Sequence, residues 1–287
     1  MAQQPVVTGF YHEPTGSIAY LVEDPATQRG AIIDPVLDYD EKAGRITSEA
    51  ADALVAAVRA RGLSVDFILD THPHADHLSA AAYLKDKLGA PTAIGAQVVA
   101  VQKLWQAIYN LPDFPADGSQ WDRLFAHGDT FRIGALEARV MHSPGHTLAS
   151  VTYVVGDAAF VHDTLFQPDT GSARCDFPGG SASVLYDSIM AILALPDDTR
   201  LYTGHDYKQD GRAPQWQSSV AEQKRANIHF RNRPTREDYV ALREARDRTL
   251  PMPRLILHAL QFNMRGGRLP EPEANGRSYF RIPIGAL

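Results

Sequence analysis

The chain contains a single cysteine, Cys175, among its 287 residues. One thiol cannot form an internal disulfide, and this suits a reducing compartment. No run of about 20 apolar residues is present, so we expect no membrane-spanning helix. The first residues show no basic segment followed by an apolar core. We therefore expect no secretory signal and a cytoplasmic location.

The sequence also lacks an excess of positive charge. It has 28 Lys and Arg residues against 34 Asp and Glu, a net charge of −6 at pH 7. This balance is unfavourable for binding a phosphate backbone, so we expect no nucleic-acid partner. Internal repeats, low-complexity tracts and flexible Gly/Ser linkers are absent as well. A chain of this length can bury a large core in one or two domains.

Short apolar segments alternate with helical patterns along the chain. Turn residues separate the segments, and helix start and stop signals flank the amphipathic stretches. The predicted strands are 6–11, 17–22, 30–34, 65–69, two within 130–141, 151–155, 158–162 and 201–203. The predicted helices are 47–62, 78–88, 96–111, 181–195 and one that begins with a capping box at 235–238. We expect one domain over 1–287, with a helical C-terminal extension from about 215 to 287.

The segment 71–77, Thr-His-Pro-His-Ala-Asp-His, directly follows the apolar strand 65–69. It places three imidazoles and a carboxylate within six residues. Such groups at the end of a buried strand cost stability unless something binds them. Imidazole nitrogen and carboxylate oxygen are ligands of zinc, iron and manganese. The segment therefore predicts a metal site.

Further potential ligands follow downstream. His146 comes after Pro144-Gly145, where a tight turn could carry its imidazole back to the site. Asp163 follows the strand 158–162 and offers an anionic oxygen, and His205 follows the strand 201–203. These four blocks, in this order, resemble the metallo-β-lactamase superfamily. The resemblance implies an α/β fold, a four-layer α/β/β/α sandwich, with the metal site at the edge where the two sheets meet. Many chemistries share that fold.

A more specific resemblance is to the persulfide dioxygenase branch, a relative of glyoxalase II. It rests on Asp-Thr-Leu-Phe at 163–166, on 171–180, and on His-Asp-Tyr at 205–207; the segments 32–36, 76–81 and 261–270 are also similar. The resemblance implies one Fe(2+) per chain. Its implied ligands are two histidines and a carboxylate, a set that suits non-haem iron: His72, His146 and Asp163. The implied catalytic groups beside them, which could orient ligands or move protons, are His74, Asp76, His77 and His205.

The implied reaction is oxidation of glutathione persulfide by O₂ and water to sulfite and glutathione, by a chain that could form a homodimer. Arg174 is the predicted contact for the anionic substrate, because its planar fork suits bidentate carboxylate recognition. It could instead pair with Asp176. Tyr207 is predicted to line the pocket, with ordinary packing as the alternative.

Three other interpretations remain open at this point. A glyoxalase II-like thioester hydrolase would hold one metal on His72, His74 and His146. A second metal would lie on Asp76, His77 and His205, with Asp163 as the bridge. A water between two such metals is a strong nucleophile. A lactonase and a non-catalytic protein are the other two, and metal content separates dioxygenase from hydrolase.

The remaining candidates have simpler interpretations. Cys175 is expected to be a small buried residue rather than a redox group. His162 is next to a predicted ligand, but on a strand it should point the other way. The other histidines lack metal-like spacing and are interpreted as structural or surface residues: His12, His127, His142, His229 and His258.

Overall fold

A computed structural model describes residues 4–287. The strands found there are β1 Val6–His12, β2 Ser17–Asp24, β3 Arg29–Ile33, β4 Val36–Asp40, β5 Arg45–Thr47, β6 Ser64–Leu69, β7 Leu78–Ser79, β8 Thr92–Gly95, β9 Arg123–Phe125, β10 Thr130–Ile133, β11 Leu136–His142, β12 Val151–Val155, β13 Ala158–His162, β14 Arg200–Thr203 and β15 Gln217–Ser219. The α-helices are α1 Glu49–Ala60, α2 Ala81–Leu88, α3 Val98–Ile108, α4 Ala182–Leu193, α5 Val220–Ala226, α6 Arg236–Asp247 and α7 Ile256–Asn263.

The strands form two large sheets. The first has the order β1-β2-β3-β6-β8-β9 and the second the order β10-β11-β12-β13-β14-β15. A small three-stranded sheet, β5-β4-β7, lies beside them. The first sheet comes from the N-terminal part of the chain and the second from the part after residue 130, so each half contributes one sheet.

Side-chain alternation along the strands builds the four layers. Ile18 and Tyr20 of β2 face the core between the two sheets. Ala19 and Leu21 point the other way and pack against α1, α2 and α7. In the second sheet, β13 alternates in the same manner, and its outward face packs against α4 and α6. Because each sheet is buried on both faces, the predicted four-layer α/β/β/α sandwich is confirmed.

Strand direction brings several loops to one edge. In the first sheet, β3, β6 and β8 are parallel. In the second, β11 and β13 are both antiparallel to β12, and β14 is parallel to β13. The carboxyl ends of β11, β13 and β14 therefore lie together. The segments that follow them, and the one that follows β6, carry the potential metal ligands.

Most predicted elements agree with the structure, including the capping box of Thr235 and Asp238 at α6. The predicted helix 78–88 is wrong at its start, because Leu78 and Ser79 pair with β4 and the helix begins at Ala81. Several short elements were not predicted: β4, β5, β8, β9, β15, α5 and α7. Most of them have three to five residues, too few for a period to stand out.

The C-terminal part packs against both halves of the sandwich. Helix α6 contacts α4, and α7 contacts β7 of the small sheet. After α7, residues 264–287 contain neither helix nor strand, so the extension is helical only as far as Asn263. No helix within residues 4–287 is both long and apolar enough to cross a membrane.

Candidate metal centre

The loop after β6 fixes the orientation of His72. Asp34, directly after β3, accepts hydrogen bonds from the backbone N–H of Thr71 at 2.7 Å and from its hydroxyl at 2.8 Å. The same hydroxyl lies 3.0 Å from Nδ1 of His72. With Nδ1 engaged, Nε2 faces the centre, where it is buried and has no hydrogen-bond partner. Asp34 therefore orients His72 through Thr71, as carboxylates beside metal-binding histidines do.

The turn before His146 depends on Gly145. Its φ is +125°, and a Cβ there would lie 2.4 Å from the backbone nitrogen of Leu185, so a larger residue does not fit. The turn is held to α4 through the Ser188 hydroxyl, which donates to the carbonyl of Pro144 at 2.6 Å. His146 Nδ1 donates to the carbonyl of Arg174 at 2.7 Å. This bond assigns the tautomer and leaves Nε2 free to bind a metal.

Asp163 and His205 meet at the ends of β13 and β14. A Cβ on Gly204 would lie 2.5 Å from Asp163 Oδ1, so only glycine allows this approach. Oδ2 of Asp163 lies 3.9 Å from Nε2 of His72, 3.6 Å from that of His146 and 3.4 Å from that of His205. Its other oxygen, Oδ1, is buried without a hydrogen-bond partner.

The donor atoms of His72, His146 and Asp163 all lie within 4.8 Å of one another. Buried polar atoms without partners are costly, and a bound cation would satisfy them. Burial lowers the pKa of His72 and of His146, so both imidazoles are neutral and have free lone pairs. Burial alone would raise the pKa of Asp163, but His205 beside it lowers that pKa to about 2. The three residues fit a divalent cation, and they are the set that the resemblance to persulfide dioxygenases implied.

A second group of donors adjoins the first. Donor atoms of Asp76, Asp163 and His205 also lie within 4.8 Å of one another. Nε2 of His205 is 3.3 Å from Oδ2 of Asp76. His77 is buried nearby, and burial, followed by the neighbouring His74, lowers its pKa to about 3. These residues are the ones that the hydrolase interpretation assigns to a second metal.

His74 does not join the group of His72, His146 and Asp163. It forms clusters with Asp76 and His77 and with Asp34 and Asp70.

The ring of His74 is held by Asp34. Its Nε2 lies 3.1 Å from Asp34 Oδ1. Burial alone would lower the pKa of His74, but the charge of Asp34 raises it to about 9. Asp34 therefore lies beside one ring nitrogen of His74, while Nδ1 of His74 is buried without a hydrogen-bond partner.

Several residues around the centre were missed or misjudged at the sequence level. Asn263 at the end of α7 binds residues 71–79, the metal loop, through its side-chain amide, and no pattern in the sequence links it to them. Asp70 is buried beside the loop, and burial together with Asp34 raises its pKa to about 6. His162 was expected to point away, but its ring centroid lies 5.2 Å from that of His72. Its Nε2 contacts Ser143 and Thr164, each at 3.0 Å.

A cavity of about 510 Å³ opens over the centre. Asp76, His146, Asp163 and His205 form its floor, together with the aromatic rings of Phe166 and Phe177. Four guanidinium groups lie around it: Arg174, Arg243, Arg246 and Arg254. An apolar pocket with a few converging polar groups is typical of a small-molecule site.

The two predicted substrate residues both line this cavity. Arg174 binds Asp176 through Nε and Nη2, each at 2.7 Å, and donates to the carbonyl of Pro251 at 2.6 Å. The ring of Tyr207 is parallel to that of His205 at 5.6 Å, and 55% of this side chain is exposed. Arg246, by contrast, has no salt bridge or side-chain hydrogen bond within the described residues.

Cys175 is 6% exposed and lies behind the cavity wall. Its thiol is 3.4 Å from Oδ2 of Asp247, which is bound in turn by Arg243. Burial, together with the charge of Asp247, raises the pKa of the thiol to about 12. The expectation of a buried, unreactive cysteine agrees with this environment.

Comparisons with known proteins agree with this fold. A beta-lactamase hydrolase-like protein of Agrobacterium fabrum is 65% identical over 286 residues, 100% of this chain, which spans only 66% of that relative's length. A hydroxyacylglutathione hydrolase of Bradyrhizobium sp. is 35% identical over 193 residues, 67% of this chain and 63% of that protein.

Two solved structures are also similar. The crystal structure of ETHE1 from Myxococcus xanthus has a TM-score of 0.74 and 30% identity, over 92% of this chain and 100% of that one. TTHA1623, solved in a di-iron-bound form, has a TM-score of 0.53 and 27% identity, over 78% of this chain and 98% of that one. The sequence model of the metallo-beta-lactamase superfamily matches residues 13–205. The chain belongs to the metallo-β-lactamase superfamily.

Proposed function

We propose that this chain is a mononuclear Fe(II) persulfide dioxygenase that acts on glutathione persulfide. One persulfide, one O₂ and one water give one thiol, one sulfite and two protons. The observation that carries the proposal is the donor group of His72, His146 and Asp163, which does not include His74. Two imidazoles and one carboxylate with open positions favour non-haem iron over a closed zinc site.

Similarity supports the same branch of the superfamily. ETHE1 of Myxococcus xanthus is 30% identical over 92% of this chain, and the segments 163–166, 171–180 and 205–207 resemble the persulfide dioxygenase branch. The hydrolase relatives support the alternative function over a smaller part of the chain. The hydroxyacylglutathione hydrolase is 35% identical and matches 67% of the chain. A glyoxalase II-like hydrolase with two metals is therefore the second candidate. It is favoured by the adjoining group of Asp76, Asp163 and His205.

When bound, Fe(II) would offer open positions to the persulfide sulfur and to O₂ and exchange electrons with both, which zinc cannot do. The protein's part is to hold and orient the reactants. The neutral imidazoles of His72 and His146 and the ionised Asp163 are already in the protonation states that ligands need. Asp76 and His205 lie at the cavity floor, where they can exchange protons with bound substrate or water.

The cavity also suits the carrier that we propose. Glutathione has two carboxylates, and the cavity wall has several cations although the chain is acidic overall. Arg246 has no partner among the described residues, so its charge is available to a ligand. Arg174 is already bound by Asp176. A substrate carboxylate would either bind the guanidinium together with Asp176 or take the place of Asp176. The aromatic rings of Phe166 and Phe177 would cover the sulfur-bearing part of the substrate and keep water away.

Oxygen uptake tests the function directly. Protein loaded with Fe(II) under anaerobic conditions and then given glutathione persulfide and O₂ should consume one O₂ for each sulfite formed. Elemental analysis of the same sample should give about one iron per chain. Zinc-loaded protein is the matched control and should consume no O₂. Two tightly bound metals per chain, with rapid hydrolysis of a glutathione thioester and no O₂ uptake, would establish the hydrolase instead.

A further inference from the structure

The peptide group that joins Arg174 to Cys175 lies between a buried carboxylate and a candidate metal ligand. Its carbonyl oxygen accepts a hydrogen bond from Nδ1 of His146 at 2.7 Å. Its N–H, on the nitrogen of Cys175, donates to Oδ2 of Asp247 at 3.0 Å. A single peptide group therefore binds His146 through its oxygen and Asp247 through its nitrogen.

The geometry of the peptide group couples these two hydrogen bonds. In a trans peptide, which this one is, the N–H and the C=O point in opposite directions within one rigid plane. An N–H held by Asp247 therefore fixes the direction in which the carbonyl faces His146. A carboxylate beside the N–H also polarises the peptide group, which makes the carbonyl a stronger acceptor.

Helix α6 holds Asp247 in place for this contact. Arg243, one turn earlier on α6, donates from Nε and Nη2 to Oδ1 of Asp247 at 2.9 and 2.6 Å. Nη1 of Arg243 donates to the carbonyl of Ser172 at 2.9 Å. Arg243 is 1% exposed and Asp247 is 3% exposed, so water does not compete for these contacts. The pair thus binds the segment 172–175 on both sides of Arg174.

Stability alone does not account for the arrangement of this ion pair. Desolvation of two buried charges offsets most of their attraction, and apolar residues in their place are often as stable. What distinguishes the pair is the second oxygen of Asp247, which faces the one peptide group that contacts His146. A histidine ligand that donates its other ring N–H to a carbonyl or carboxylate is held in one tautomer and becomes a more basic ligand.

We propose that Asp247 is the carboxylate partner of His146, acting through the peptide group of residues 174 and 175, and that Arg243 positions Asp247. Both are positioning residues, which keep His146 in the tautomer that leaves Nε2 free for the metal. The inference rests on the proposed function only in that His146 binds a metal, which the two-metal hydrolase also requires.

Three proteins test this role. The double variant Arg243→Met, Asp247→Leu removes the ion pair without leaving an unpaired buried charge and without changing the net charge. Asp247→Asn removes the charge and keeps an oxygen that can accept from the peptide N–H. Tyr239→Phe is the matched control. Tyr239 is also on α6, and its hydroxyl lies 2.9 Å from that of Ser172, so the control loses a buried contact with the same segment but none with the peptide group.

The first measurement is the zinc affinity of the folded proteins, by competition with a chelator. We expect the double variant to bind zinc about 10–100-fold more weakly than wild type, the usual cost of losing a group that orients a metal ligand. Asp247→Asn should lie between the two, and it carries the comparison if the double variant does not fold. Tyr239→Phe should bind zinc as wild type does, even where thermal unfolding shows that it is less stable.

Two results would assign the pair to the fold alone and overturn the proposal. One is a loss of stability in both Asp247 variants with zinc affinity unchanged. The other is an equal loss of zinc affinity in Tyr239→Phe, which would show that any loosening of the segment 172–175 has the same effect.

A second measurement needs no metal. In metal-free protein with ¹⁵N-labelled histidine, His146 should be protonated at Nδ1. The double variant and Asp247→Asn should shift its ring resonances and increase the share of the tautomer protonated at Nε2, whereas Tyr239→Phe should do neither. Because the double variant keeps the net charge, a change of tautomer there reports the altered peptide group.

Failure of the proposed function is distinguishable from failure of this inference. Wild-type protein that binds zinc but consumes no O₂ when loaded with iron would refute the dioxygenase and leave the role of Asp247 standing. Wild-type protein that binds no zinc would refute the ligand set, and the tautomer of His146 would then decide. A tautomer unchanged in both Asp247 variants would overturn the inference whatever the reaction is.

Discussion

The side-chain amide of Asn263 donates a hydrogen bond of 2.7 Å to the backbone carbonyl of His74, although 189 residues separate the two. The same nitrogen donates to the carbonyl of His77 at 2.7 Å, and Oδ1 accepts from the backbone N–H of Ser79 at 2.8 Å. Asn263 thereby satisfies three buried backbone groups of the metal loop. The last residue of α7 is thus part of the support of the metal centre.

Asn263→Ala should loosen that loop. Three buried backbone groups lose their partner, so we expect the free energy of unfolding of the metal-free protein to fall by about 2–4 kcal/mol. Iron retention during dialysis should fall as well, because the loop that carries His72 is less ordered.

Gln261→Ala is the matched control. This buried amide on the same helix binds the carbonyls of Leu257 and Arg281, away from the loop. It should lose stability by a similar amount and keep its iron. Equal iron loss in both variants would show that Asn263 supports the fold in general and not the metal loop.

The ligand assignment predicts two classes of variant. His72→Ala, His146→Ala and Asp163→Ala should each lose most of the iron, because a three-ligand site tolerates no vacancy. His74→Ala and Asp76→Ala should keep more iron and lose about 10–100-fold in turnover, as expected for residues that orient ligands. Iron content by elemental analysis separates the classes. If His74→Ala empties the site as fully as His72→Ala, the assignment of one three-ligand metal is wrong.

Arg174 should matter for substrate and not for metal. Arg174→Ala should raise KM for glutathione persulfide by an amount equivalent to about 1.5–3 kcal/mol, the cost of a lost charge-assisted bond. Iron content should stay intact, and a small uncharged persulfide should be oxidised at nearly the same rate by both proteins.

Asp176→Asn distinguishes substrate binding from structural support. It weakens the ion pair of Arg174 and Asp176 but leaves the cation in the cavity. If Arg174 contacts substrate, Asp176→Asn should leave KM unchanged or lower it. If the ion pair only supports the cavity wall, the two variants should behave alike. Arg236→Ala, which removes the exposed ion pair between the first residue of α6 and Asp187, controls for loss of surface charge.

Cys175 should resist alkylation in the folded protein. With its pKa raised to about 12 by burial and Asp247, almost no thiolate is present at pH 8. Iodoacetamide at pH 8 should label the cysteine in denaturant and leave it unlabelled without denaturant, as mass spectrometry can measure. Rapid labelling of the native protein would show that the thiol is exposed or activated, against the structure.

Local signals made much of the fold predictable. Short apolar segments bounded by turn residues identified β2 and β13, and the Thr235 capping box identified the start of α6, because these patterns are complete within a few residues. The start of α2 was not predictable in this way. Leu78 and Ser79 become a strand only because β4, from a distant segment, pairs with them.

The metal ligands were also accessible to sequence analysis, whereas their supporting residues were not. Each ligand belongs to a short block of unusual composition at the end of a strand, so residue type and position marked it as a potential ligand. The resemblance to persulfide dioxygenases then implied the set of His72, His146 and Asp163. Asn263 and Asp247 are common polar residues, and neither lies in a block of potential metal ligands. Their roles depend on which segments come together.

The sequence by itself supplied the motif blocks that resemble the metallo-β-lactamase superfamily, and that resemblance implied the four-layer architecture and the set of potential ligands. The tertiary structure decided which donors share a site. His74, which lies beside Asp34, is outside the group of His72, His146 and Asp163. The tertiary structure also decided that Arg174 is already paired and that one peptide group joins Asp247 to His146. Distance and hydrogen-bond geometry between remote segments follow from packing, and no local pattern encodes them.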